Sequence, residues 1–68
     1  ADMQIRLTGE LHECAEATTL AALIATLELA GKRIAVELNG EIAPRSRHQD
    51  IVLAAHDRVE IVHAIGGG

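Results

Sequence analysis

One amphipathic stripe near the middle of the chain limits the possible fold more than any other feature. Between residues 19 and 30, large aliphatic side chains recur at the helical spacing i, i+3, i+4 and i+7: Leu20, Leu23, Ile24 and Leu27. Thr19 precedes them, and its hydroxyl can accept a hydrogen bond from an unpaired N–H of the first turn. Gly31 follows them, at the position where helices commonly end. The pattern predicts one helix over residues 19–30, which supplies the largest block of the core.

The residues before this helix alternate with period two. Met3, Ile5 and Leu7 are separated by polar residues, which predicts a strand with one buried face. Gly9 permits a tight turn into a second strand over residues 11–14. In that strand we expect His12 and Cys14 to face the core, because Cys is often buried and an inward unpaired glutamate is costly.

A second hairpin is predicted after the helix. Residues 34–38 alternate again and Asn39-Gly40 follows them, a pair that suits the two positive-φ positions of a type I′ turn. The return strand should be short, because Pro44 cannot donate to a β-ladder. Ser46 is then expected to cap one short helical turn.

The last predicted strand covers residues 58–65 and leads directly into three glycines. Val59 and Ile61 should face one side of the sheet, and Glu60 and Val62 the other. The element order therefore predicts an α+β domain in which one helix covers one face of a mixed sheet of four to five strands. The opposite face should be in contact with water.

The predicted domain covers residues 3–65 and is followed by a flexible glycine tail over residues 66–68. Ala1 and Asp2 precede the clean alternation and are interpreted as a cloning or cleavage remnant.

Composition argues against several classes of function. The net charge is −4 and there is no Phe, Tyr or Trp, so neither phosphate neutralisation nor base stacking favours nucleic acid as a partner. No stretch approaches the roughly 18 apolar residues of a membrane span, and no signal-peptide pattern is present, so we expect a cytoplasmic protein.

The potentially reactive side chains are interpreted as structural. Cys14 cannot form an internal disulfide, and a small core hydrophobe is a better interpretation of it than a persulfide carrier. Four histidines lack metal-ligand spacing and are expected at surface or half-buried positions: His12, His48, His56 and His63. No nucleophile–base pair or carboxylate dyad is evident, so the chain is not expected to be an enzyme.

Three segments carry a resemblance to a known family. They are "VELNGEIAPRS" around the second hairpin, "DRVEIVHAI" in the last strand, and the closing glycines. With the element order, they make residues 3–68 resemble the β-grasp, or ubiquitin-like, fold, and within it the ThiS/MoaD family, closest to the ThiS sulfur carriers of thiazole formation in thiamin biosynthesis. The resemblance implies that the first and last strands are adjacent and parallel. The third glycine departs from the usual Gly-Gly end.

The resemblance also implies a chemistry for the glycines. An E1-like adenylating enzyme of the ThiF type would use Mg-ATP to adenylate the Gly68 carboxylate, and a sulfur donor enzyme would convert it to a thiocarboxylate. The sulfur would then pass to a thiazole synthase of the ThiG type. Gly67 would leave the approach unhindered and Gly66 would extend the reach. The chain would be a protein cosubstrate with no stably bound cofactor of its own.

The same resemblance implies a docking surface. Val62 and Ile65 would lie on the sheet face away from the helix, as part of an apolar patch rimmed by charge, and dock on the activating enzyme. Two alternatives stay open: the small subunit of molybdopterin synthase, and a non-covalent ubiquitin-like interaction module in which the glycines are incidental.

One position departs from the family pattern. Related sequences usually have Gly-Asp before the last strand, whereas this chain has His56-Asp57. If the turn keeps its geometry, His56 is expected to adopt a positive φ, which is unfavourable for a residue with a Cβ.

Overall fold

A computed structural model describes residues 1–63 of the chain. These residues form five strands, one α-helix and one short 3₁₀ turn. In chain order the elements are β1 (Asp2–Leu7), β2 (Glu10–Ala15), α1 (Leu20–Thr26), β3 (Ile34–Leu38), β4 (Glu41–Ile42), the 3₁₀ turn (Arg45–Arg47) and β5 (Arg58–His63). Among these residues, no helix has the length and apolar character needed to cross a membrane.

The strands form one mixed sheet in the order β2-β1-β5-β3-β4. β5 is the central strand: it pairs parallel with β1 and antiparallel with β3, while the two hairpins β1–β2 and β3–β4 are antiparallel. The α+β prediction and the parallel pairing of the first and last strands are confirmed. The first and last strands therefore lie side by side in the middle of the sheet.

The helix packs on one face of this sheet and completes the core. Leu20 and Leu23 are almost fully buried and Ile24 is buried, which confirms the predicted stripe, while Leu27 is half-buried. The core side chains are Met3, Ile5, Leu20, Leu23, Ile24, Val36, Ala43, Leu53 and Val59. Burial of each large aliphatic side chain stabilises the fold by about 1.5–3 kcal/mol.

The first hairpin follows the predicted facing. His12 and Cys14 are half-buried, with Cys14 packed against the core, while Leu11 is exposed. β1 begins at Asp2, which pairs with Ala15, so the ladder extends one residue further than the alternation of apolar residues suggests. The interpretation of residues 1–2 as a remnant stays a prediction.

The helix begins as predicted but ends earlier. Thr19 is the N-cap and its Oγ1 accepts a hydrogen bond of 3.0 Å from the Ala22 N–H. At the other end, Glu28 has a φ of 61°, and the Leu29 N–H donates to the Ile24 carbonyl at 3.0 Å. This is the 6→1 hydrogen bond of a Schellman motif, which ends a helix at a residue of positive φ. The prediction of helix to residue 30 was wrong because Glu28, and not a glycine, takes this position.

The second hairpin contains the predicted turn. Asn39 and Gly40 have φ values of 53° and 87°, as a type I′ turn requires. The Asn39 side chain has a further role that the Asn-Gly turn signal does not indicate. Its Nδ2 donates to Asp57 Oδ1 at 3.1 Å, and its Oδ1 accepts from the Arg58 N–H at 2.9 Å. These bonds join the hairpin turn to the start of β5.

The short helical turn after Pro44 forms, but not with the predicted cap. The 3₁₀ turn begins at Arg45, and Pro44 is its N-cap residue without a side-chain hydrogen bond. Ser46 lies inside the turn, so the prediction of a Ser46 cap was wrong. The fixed φ of proline already favours entry into the turn without such a cap.

His56 adopts the predicted positive φ, at 71°. We expect His56→Gly to raise the free energy of unfolding by about 1 kcal/mol, because removal of the Cβ relieves the left-handed strain, which outweighs the added flexibility of glycine. The backbone hydrogen bond from His56 N–H to the Gln4 carbonyl, 2.6 Å, does not depend on the side chain. In thermal denaturation the midpoint should rise by roughly 4–8 °C.

Ala55 provides the matched control, since it belongs to the same turn but is not among the residues of positive φ. Ala55→Gly should lower the midpoint, because there glycine adds only chain entropy to the unfolded state. A midpoint that stays put or falls in His56→Gly would contradict the prediction.

Candidate functional site

The candidate site lies where β5 leaves the sheet. β1 pairs with β5 only at Arg58 and Val59, and beyond this point the loop residue Thr8 continues the contact. The Thr8 N–H donates to the Val59 carbonyl at 2.8 Å, and Thr8 Oγ1 accepts from the Ile61 N–H at 3.4 Å. The central strand is therefore fixed on both sides over its first half.

The second half of β5 has a strand neighbour on one side only, within residues 1–63. Val62 lies opposite Ala35, and His63 lies opposite Ile34, the first residue of β3. The strand thus runs past the end of β1 and reaches the edge of the domain at His63. The three closing glycines follow in sequence, starting three residues after this edge.

Four of the predicted site residues lie outside the described residues: Ile65, Gly66, Gly67 and Gly68. Their roles stay predictions. Gly68 is five positions after His63, so Gly68 cannot lie further than about 18 Å from His63. A protein that acts on this carboxyl group therefore does so within this distance of the end of the sheet at His63.

Val62 lies on the sheet face away from the helix and is 56% exposed, as expected for a docking residue. Its neighbours on this face are not a continuous apolar patch. The next residues in register are Glu60 and Glu37, which lie directly opposite each other, and Ile42, which lies opposite Glu37 and is 68% exposed. Two exposed aliphatic side chains thus flank an acidic pair, and the docking role of Val62 stays a prediction.

The helix side of the same end of the sheet contains a cleft of about 180 Å³, here called the strand-end cleft. Its apolar lining includes Ile24 at the helix, Leu29 after the helix and Ile34 at the start of β3. Arg45 in the 3₁₀ turn and His48 directly after the turn complete the lining. No periodic pattern of residues predicts this cleft, because its walls come from four separate segments.

His48 is more buried than expected. It is 8% exposed, and its Nε2 lies 2.8 Å from the Ala43 carbonyl oxygen. Because a carbonyl can only accept, Nε2 carries a proton and donates it. The prediction of a surface or half-buried His48 was wrong. The hydrogen bond to the Ala43 carbonyl satisfies Nε2, so the ring can be buried.

The other reactive side chains do not converge. No group of three or more His, Cys, Asp or Glu side chains with metal-binding geometry occurs within the described part of the chain. Cys14 is half-buried against the core, in line with its interpretation as a small hydrophobe. Within the described residues, the candidate site is therefore the end of β5 and not a cluster of reactive side chains.

The architecture of the sheet and the central position of β5 define a class of protein. One helix on a five-stranded mixed sheet, with the first and last strands parallel in the middle, is the β-grasp arrangement of ubiquitin-like proteins. The ThiS family model matches residues 5–68, which include the last strand and all three closing glycines. The chain belongs to the ThiS family.

Individual relatives agree with this assignment. A crystal structure of the thiamine biosynthesis protein ThiS from Geobacter metallireducens superposes with a TM-score of 0.81 at 28% identity, over 97% of this chain and 100% of that one. The sulfur carrier protein ThiS of Bacillus subtilis is 40% identical over 50 residues, which are 74% of this chain and 76% of that protein.

A longer relative is a thiazole synthase of Magnetococcus marinus, which is 41% identical over 66 residues. These residues are 97% of this chain but 20% of the synthase. The chain thus spans about a fifth of the length of this relative.

Proposed function

We propose that this protein is a sulfur carrier for thiazole formation in thiamin biosynthesis, with the carboxyl group of Gly68 as the covalent site. The observation that carries the proposal is the family match through Gly68, in a fold whose central strand leads toward the glycines. The protein would act as a cosubstrate of other enzymes in the cytoplasm and not as a catalyst itself.

The chemistry starts from an unreactive group. A carboxylate is ionised at neutral pH and is a poor electrophile, so a partner must activate it. An E1-like adenylating enzyme of the ThiF type would join a Gly68 carboxylate oxygen to the α-phosphorus of Mg-ATP, with release of pyrophosphate. A sulfur nucleophile from a donor enzyme would then attack the carbonyl carbon and displace AMP. With a persulfide as this nucleophile, an external thiol would cleave the S–S bond of the resulting acyl disulfide and end in a disulfide with the donor. A thiocarboxylate would remain, in which sulfur has replaced one oxygen.

The described residues would present the closing glycines to the partner enzymes. β5 is held by β1, β3 and Thr8, so its last residue has a defined position at the edge of the domain. Gly66 and Gly67 would extend from this edge, and their lack of a Cβ would let the chain enter a narrow channel. Val62 and Ile65 would contact the activating enzyme on the sheet face away from the helix.

The identity of the sulfur acceptor is supported by the relatives. A thiazole synthase from Magnetococcus marinus contains a stretch similar to nearly the whole chain, which favours a synthase of the ThiG type as the downstream partner. The small subunit of molybdopterin synthase would share the activation chemistry but not this acceptor.

Intact-mass measurement tests the proposal. The protein is incubated with an adenylating enzyme of the ThiF type, Mg-ATP and a sulfur source, and we expect the mass to increase by the difference between one sulfur and one oxygen atom. A variant that lacks Gly68 should stay unmodified, and the enzyme is first shown to be active on its own carrier. An unmodified wild-type protein under these conditions would favour the non-covalent interaction module.

A second measurement separates the two carrier pathways. The thiocarboxylate form is mixed with a thiazole synthase or with the large subunit of molybdopterin synthase, and loss of sulfur is followed by mass. Transfer that occurs only with the molybdopterin enzyme would contradict the thiazole assignment while leaving the carrier function intact.

A further inference from the structure

Three of the six basic residues of this acidic chain belong to the segments that border the strand-end cleft: Arg45 lines it, and Lys32 and Arg33 lie between its lining residues Gly31 and Ile34. Lys32 and Arg33 are exposed in the loop between α1 and β3, and Arg45 is exposed in the 3₁₀ turn. These three residues are called the basic rim. Arg45 Nη2 donates to the Lys32 carbonyl oxygen at 2.6 Å, which joins the two segments.

In the part of the chain that the structure describes, no ion pair of Arg45 accounts for its place in the basic rim. Within residues 1–63, the hydrogen-bond partner of the Arg45 guanidinium is a backbone carbonyl and not a carboxylate. Arg has five N–H donors, so most of its hydrogen-bonding capacity remains open to solvent or a partner. The chain has a net charge of −4, and a positive surface on such a protein is a distinctive local feature.

The position of the rim relates it to the carboxyl group. Arg33 precedes Ile34, and Ile34 lies opposite His63, the last described residue of β5. Gly68 lies at most about 18 Å beyond His63. A protein that binds Gly68 in its active site therefore lies within reach of the surface that contains the rim and the strand-end cleft.

We propose that the basic rim and the strand-end cleft form a contact surface for the adenylating enzyme, on a segment of that enzyme with an aliphatic side chain flanked by carboxylates. The aliphatic side chain would enter the cleft between Leu29 and Ile34, whose volume of about 180 Å³ is sufficient for one such group. The carboxylates would pair with the basic rim. This inference rests on the proposed function and adds a second contact, on the helix side, to the one expected at Val62.

Charge reversal tests the electrostatic part. We expect Lys32→Glu and Arg33→Glu each to raise the KM for the carrier in adenylation about fivefold or more, with kcat within about twofold, because charges at an interface edge act mainly on association. The KM of the wild-type protein should also rise with ionic strength. Arg47→Glu is the matched control: it changes the net charge equally and lies in the same 3₁₀ turn as Arg45, but it lines a different cleft.

Filling the cleft tests the apolar part. Ala30 is exposed and lines the strand-end cleft, so Ala30→Leu should raise KM about threefold or more by excluding the aliphatic side chain. Ala25 is also exposed, on α1, but is not among the lining residues, and Ala25→Leu should leave KM unchanged. Thermal midpoints of all variants verify that the fold is retained.

The outcomes separate this inference from the proposed function. If the wild-type protein is adenylated but the rim and cleft variants match it in KM, the inference is overturned and the carrier function stands. The inference is also overturned if Arg47→Glu or Ala25→Leu raises KM as much as its test variant. If an adenylating enzyme that is active on its own carrier does not modify the wild-type protein, the proposed function fails and the contact surface fails with it.

Discussion

Gly67→Val is expected to lower the kcat/KM of Gly68 adenylation by about a hundredfold or more, because small displacements of a reacting group are sufficient for losses of this size. Valine introduces a branched Cβ next to the residue whose carboxylate oxygen must reach the α-phosphorus of ATP. It also removes the backbone angles that only glycine adopts freely. Release of pyrophosphate with an adenylating enzyme of the ThiF type provides the measurement.

Gly66→Val is the matched control for this prediction. It makes the same change one residue further from the reacting carbon and should reduce kcat/KM less than Gly67→Val does. Both variants should unfold at the wild-type temperature, since the core side chains come from positions between Met3 and Val59. Adenylation of Gly67→Val at the wild-type rate would rule out a narrow channel around this residue.

Leu23→Ala is expected to reduce the free energy of unfolding by about 2–5 kcal/mol, through lost burial and the cavity that remains. Leu23 is 1% exposed and lies on the helix stripe that packs against the sheet. At roughly 0.05–0.15 kcal/mol per residue, a domain of this length has about 3–10 kcal/mol in total. The variant should therefore lose a large share of the stability of the domain, as measured by urea denaturation followed by circular dichroism.

Leu11 offers a control of identical chemistry in a different environment. It is 63% exposed on β2, so Leu11→Ala should change the free energy of unfolding by no more than about 0.5 kcal/mol. If Leu11→Ala and Leu23→Ala were equally destabilising, the assignment of the core to the helix-facing side of the sheet would be wrong.

The features that could be predicted from the sequence are those set by neighbouring residues. The helical stripe beginning at Leu20 and the Asn39-Gly40 turn are local patterns, because a side chain's direction along a helix or strand follows from its position alone. The positive φ of His56 was predicted from the family resemblance, because related sequences usually have glycine at this position. The parallel pairing of β1 with β5 came from the family resemblance, since no periodicity contains that information.

The features that could not be predicted depend on contacts beyond the local pattern. Helix α1 ends at Thr26, and the Leu29 N–H then bonds to the Ile24 carbonyl. In this helix end Glu28 takes a position that is usually held by glycine. His48 is buried because the Ala43 carbonyl, five residues away in sequence, accepts its Nε2 proton.

The amino-acid sequence by itself determined the helix stripe, the alternating strands, the hairpin turn and the glycines that carry the proposed chemistry, because each depends on residue type and spacing. Tertiary structure decided that β5 is the central strand and that His63 lies beside Ile34 at the edge of the domain. It also brought Arg45 to the loop of Lys32. These relations arise only when segments distant in sequence pack together, since the free energy that selects them comes from burial and hydrogen bonding across the whole sheet.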